Sequence, residues 1–150
     1  MYKFVTALLM LLLASPAIAE IKSKTVHYQH DDEQLTGHLY WDDAIDGKRP
    51  GVLVVHEWWG LNDYAKKRAK MLAELGYVAF AADMYGDGRV TDKPARAQEW
   101  MQEITTDVEG WRERATLGVE QLLKSGLVDE KRLAAIGYCF GGATVFQLAY

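Results

Sequence analysis

A single cysteine among 150 residues, Cys139, excludes an intramolecular disulfide framework and a multi-cysteine zinc site, so this thiol serves either packing or chemistry. Basic residues are scarce too. Lys plus Arg number 17 against 21 Asp plus Glu, the net charge is −4, and the longest basic run is Lys66-Lys67-Arg68. A nucleic-acid partner therefore has no electrostatic footprint, and none is expected. Long apolar runs are missing as well: Phe4 to Leu13 is broken at Thr6 and is about half the roughly twenty residues that a membrane span needs. There are no internal repeats or low-complexity stretches. What is present, 49% hydrophobic and 25% charged residues, is the balance of one ordinary globular domain.

The N-terminus has the order of a secretory signal peptide. Lys3 gives a positive start, Phe4 to Leu13 an apolar centre, and Ser15-Pro16-Ala17-Ile18-Ala19 a small-x-small cleavage site. Residues 1–19 are read as a leader removed after Ala19, leaving a domain over 20–150. The mature chain is expected to be exported, periplasmic or secreted, with no stable membrane anchor after cleavage.

Thr25 to Gln29 and Leu35 to Trp41 alternate as strands do, and the Asp31-Asp32-Glu33 cluster between them predicts an antiparallel hairpin. Gly51 to Val55, Tyr77 to Ala82 and Arg132 to Tyr138 read as strands buried on both faces of a parallel sheet. Helices are expected from an Asn62 or Asp63 cap to Gly76, over Ala95 to Ile104, from Asp107 to about Gly126, and from Ala143 onward. A hairpin followed by repeated β-loop-α units predicts an α/β sandwich with a mostly parallel sheet. Ligands in such sheets bind beyond the carboxyl ends of the strands. Three loops converge there: His56 to Asn62, Asp83 to Asp92 and Gly137 to Gly142.

The third of these loops carries the sharpest signal. Gly137-Tyr138-Cys139-Phe140-Gly141-Gly142 lies between an apolar strand and a helix and has the G-x-nucleophile-x-G spacing of a nucleophile elbow. A sharp strand-to-helix reversal needs small neighbours around a strained residue. At the helix start, unpaired amides and the helix dipole favour a thiolate, and the Phe140 amide points toward an oxyanion formed on an acyl group. Two other readings stand beside this one. A dinucleotide-binding loop would need glycine where Cys139 stands, and a structural cysteine would simply be buried at the turn.

The motifs His56-Glu57-Trp58-Trp59-Gly60-Leu61-Asn62, Asp83-Met84-Tyr85 and Gly137 to Gly142, in this order and at these separations, resemble those of the dienelactone hydrolase family of the α/β-hydrolase superfamily. The resemblance covers about residues 25–150. It implies an α/β-hydrolase-type three-layer sandwich with an N-terminal antiparallel hairpin. It also implies that Cys139 attacks a lactone or ester carbonyl to give an acyl-thiol intermediate, with the Trp58 and Phe140 amides as the oxyanion hole. Glu57 matches the carboxylate that holds the resting thiol protonated. Arg89 matches an arginine that grips a substrate carboxylate, although Gly86-Asp87-Gly88 displaces it relative to Tyr85. Tyr85 and Trp59 are further candidates for substrate contact. In the family the catalytic Asp and His follow the elbow, whereas this sequence ends eleven residues after Cys139, so the domain is expected to be truncated there.

The activity expected is hydrolysis of a small-molecule lactone or ester without a cofactor or metal. The alternative is a non-catalytic binding protein of the same fold, or an inactive fragment. His56, at the end of a strand, is a candidate base oriented by Asp83, or else a residue that shapes the oxyanion loop by bonding to backbone. His27 and His30 resemble a metal pair in spacing, but in a strand they point to opposite faces and are expected at a solvated hairpin end.

Overall fold

The computed structural model describes residues 20–149, so the expected leader over 1–19 lies outside the described residues. Strands β1 (Ile21–His30) and β2 (Glu33–Asp42) pair antiparallel from Ile21 opposite Asp42 to His30 opposite Glu33. Only Asp31 and Asp32 are left for the turn, with Asp31 at φ 50°, a left-handed conformation that short polar side chains tolerate. Then follow β3 (Arg49–Val55), α1 (Asp63–Glu74), β4 (Val78–Ala82), α2 (Pro94–Thr106), α3 (Val108–Lys124), β5 (Val128–Gly137) and α4 (Phe140–Ala149). Of the two candidate caps for α1, Asn62 serves, its side chain accepting the Ala65 N–H; α3 is capped by Asp107, whose side chain accepts the Gly110 N–H.

The sheet runs β1-β2-β4-β3-β5, with β4, β3 and β5 parallel and the hairpin joined antiparallel to β4. Alternate side chains of the buried strands serve two helical layers. Val54, Ala79 and Ala81 face the Ala65 and Ala69 side of α1. Leu53, Val55, Phe80 and Ala82 pack with Trp111, Ala115 and Leu122 of α3 and with Phe140 of α4. This is the three-layer arrangement of an α/β-hydrolase fold. Because β4 and β5 lie on opposite sides of β3, right-handed crossovers put α1 on one face of the sheet and α3 on the other.

One expectation is corrected. The sequence predicts that Arg132 to Tyr138, which spans the second half of β5, is buried on both faces, yet residues 130–134 are exposed, with Leu133 at 40%. Strand β5 forms the sheet edge, pairing with β3 alone among the described residues. Apolar composition states what a strand is able to bury and carries no information about which neighbours cover it.

Candidate active site

The crevice opens where the sheet reverses its winding. Strands β3 and β5 are adjacent and parallel, but the chain leaving β3 turns toward α1 and the chain leaving β5 turns toward α4, on opposite faces. The ladder ends with Val55 opposite Gly137. Glu57 and Cys139 each follow two residues later, so the register sets the two loops side by side.

Cys139 is exposed and stands at φ 55° between β5 and α4. A β-carbon on Gly137 would lie 2.3 Å from the Gly141 carbonyl carbon, and one on Gly141 would lie 2.4 Å from the Val55 oxygen. The helix start therefore packs directly on the strand ends, which only glycine permits. The Gly141 N–H donates to the Tyr138 carbonyl at 2.9 Å and the Ala143 N–H to the Cys139 carbonyl at 3.1 Å. Phe140 is the first residue of α4, so its N–H has no partner within the helix.

The loop after β3 is tied to the loop after β4 at successive points. His56 is buried; its Nε2 accepts the Met84 N–H at 3.2 Å, and its Nδ1 donates to the Glu57 carbonyl. That pair of bonds requires the neutral ring with its proton on Nδ1. Burial lowers the His56 pKa below its ordinary value, against a smaller opposing effect of the Glu57 carbonyl. The Tyr85 hydroxyl donates to the Trp58 carbonyl at 3.1 Å, the Gly60 N–H to the Glu57 carbonyl at 3.3 Å, and the Thr91 N–H to the Trp59 carbonyl at 3.0 Å. Gly60 has φ +89° and sits against the Arg89 carbonyl, 2.0 Å from where a β-carbon would stand. Glu57, Trp58 and Trp59 are half-buried, with the two indoles edge to face at 4.9 Å.

Phe140 joins the two loops. Its ring lies 5.8 Å from that of His56, 5.4 Å from Tyr85, and stacks on Trp111 at 5.7 Å. Trp111 Nε1 donates to the Thr144 hydroxyl, which donates to the Phe140 carbonyl, so α3 fixes the first turn of α4.

Several expected roles are redistributed. Tyr85, a candidate substrate contact, is buried and its hydroxyl is committed to Trp58. Burial, and then the negative charge of an ionised Cys139, hold it firmly as the neutral phenol. Arg89 does not reach freely toward a cleft: its Nη2 donates to Glu33 at 2.7 Å, its Nε to the Gly86 carbonyl, and its guanidinium lies 5.4 Å from the Trp100 ring centroid. Asp83 does not orient His56. Its carboxylate accepts the backbone N–H groups of Thr36, Tyr85, Gly86 and Gly88 and so shapes the loop after β4. Glu33, which also pairs with Arg114, carries no local sequence signal, because Arg89 lies 56 residues away. His27 bonds to Thr36 and His30 to Glu113. Among the described residues no group of three His, Cys, Asp or Glu side chains is placed to hold a metal.

The model of the Dienelactone hydrolase family matches residues 35–150. The chain belongs to that family. A candidate carboxymethylenebutenolidase of Aquifex aeolicus is 34% identical over 104 residues, covering 67% of this chain and 45% of that one. A counterpart from Synechocystis is 28% identical over 139 residues, covering 85% of this chain and 53% of its own. Among solved structures, a dienelactone hydrolase-like promiscuous phosphotriesterase from metagenomic libraries is 43% identical with a TM-score of 0.82, covering 86% of this chain and 54% of that one. The chain thus spans about half the length of the dienelactone hydrolase relatives it matches.

Proposed function

We propose that this protein is an exported hydrolase that cleaves a lactone or carboxylic ester of a small molecule through Cys139. The observation that carries the reading is the position of Cys139: a left-handed residue on a strand-to-helix turn, with the register bringing the Glu57-Trp58 loop beside it. In this reaction the thiolate adds to the carbonyl carbon, and the oxyanion is received by the N–H groups of Phe140 and Trp58. Collapse breaks the bond to the leaving oxygen and leaves a thioester, which water then hydrolyses. Glu57 holds the resting thiol protonated until substrate arrives, which protects an exported thiol from oxidation.

No histidine among the described residues is placed to supply the base for the water step. The four histidines are His27, His30, His38 and His56. Three bond to other groups on or near the hairpin and the fourth is committed at both nitrogens.

Replacing Cys139 by alanine is expected to lower turnover of small lactones and nitrophenyl esters by about a thousandfold or more. Wild-type turnover in that variant removes Cys139 from the mechanism. Binding of a small carboxylic acid without turnover, unchanged in the variant, supports a binding protein instead.

A further inference from the structure

We propose that His56 is the positioning residue of the oxyanion hole: by holding the Glu57 carbonyl through Nδ1–H, it sets the direction in which the Trp58 N–H points. The inference rests on the hydrolase reading above and adds a residue to it. In a trans peptide the C=O and N–H point in opposite directions, and the described residues contain no cis peptide. Pinning the Glu57 oxygen therefore aims the Trp58 nitrogen, the two belonging to one rigid plane.

The pin is doubled and braced. The same oxygen accepts the Gly60 N–H, which uses its second lone pair. The following plane is fixed likewise, because the Tyr85 hydroxyl holds the Trp58 carbonyl. Trp58 is thus clamped through the peptide on each side. His56 itself cannot swing, since Nε2 accepts the Met84 N–H and the ring is packed against Tyr85 at 4.8 Å and Phe140 at 5.8 Å. Phe140 supplies the other amide of the hole, so one imidazole touches the element that carries the second donor while aiming the first.

The test uses the fact that Cys139 is the sole cysteine. Its acylation by p-nitrophenyl acetate forms the sulfur–carbonyl bond, releases p-nitrophenolate and passes through an oxyanion. Its alkylation by iodoacetamide displaces iodide and needs no such hole. Both rates are read from intact mass. His56→Leu is expected to lower acylation relative to alkylation by about tenfold or more, short of the ~10²–10³ lost when an oxyanion donor is removed outright. His56→Asn, whose amide N–H falls near the position of Nδ1–H, restores most of that ratio. His56→Gln, whose amide reaches the Nε2 position, does not. Equal changes in both rates, or rescue by Gln in place of Asn, overturn the proposal.

Nitrogen-detected NMR of the wild-type imidazole reads the clamp independently of turnover. Protonated Nδ1 with bare Nε2 supports it, and protonated Nε2 overturns it. Wild-type acylation no faster than that of free cysteine, beside the expected tautomer, overturns the hydrolase reading and leaves the clamp supported.

Discussion

His56 shows how burial turns a titratable side chain into a strut. The ring is neutral because its two nitrogens meet one donor and one acceptor, and because a charge in that layer of aromatic rings would be poorly solvated. The consequence for stability follows from linkage. In the unfolded chain the imidazole takes up a proton below about 6.5, its ordinary value, whereas in the folded protein it resists protonation. The unfolded state then binds more protons, so the contribution of His56 is fully present above that pH and is lost as the pH falls. Thermal unfolding between pH 5 and 8 is expected to show Tm falling on the acid side. In His56→Asn that fall is shallower, and an unchanged slope contradicts the assignment. Sequence alone left His56 between two roles, base or backbone support, because a histidine after a strand has the same spacing in either case. Its partners, the Met84 amide and the Glu57 carbonyl, are visible only once β3 and β4 are paired.

At the scale of elements, the turn that carries Cys139 is a packing device. Strand β5 ends against the first turn of α4 so closely that the Gly137 and Gly141 positions have no room for a methyl group. Gly137→Ala is expected to destabilise the fold by more than about 2 kcal/mol, measured by urea unfolding, because the obstruction is backbone and has no rotamer to relieve it. It is also expected to slow Cys139 alkylation. Wild-type stability would mean that α4 is not seated on the strand end.

This turn was legible in the sequence because glycine spacing is a local signal with a steric cause. The buried strands β3 and β4 were legible for a similar reason, their apolar runs being too short for helices. The exposure of β5 was not, since Leu133 to Ile136 has the same apolar character as the buried runs and differs only in its neighbours. The commitment of Arg89 to Glu33 was hidden likewise, because it joins the loop after β4 to the start of β2.

For the whole molecule, the fold explains how two residues 82 apart in the sequence come to lie on neighbouring loops: Glu57 and Cys139 are both two residues beyond the last pair of a parallel ladder, and the chain departs from it in opposite directions. The loop after β4 acts as the brace. Asp83 gathers its amides, Tyr85 and Met84 reach to the loop after β3, and Arg89 ties it to the hairpin. The most direct test of this account is acid-quench mass spectrometry of the protein during turnover of p-nitrophenyl acetate, with peptide mapping. An acetyl group on the Cys139 peptide, appearing and decaying at rates compatible with turnover, is the predicted result. Turnover with Cys139 unmodified at every time point, or with the acetyl group on another side chain, would contradict it.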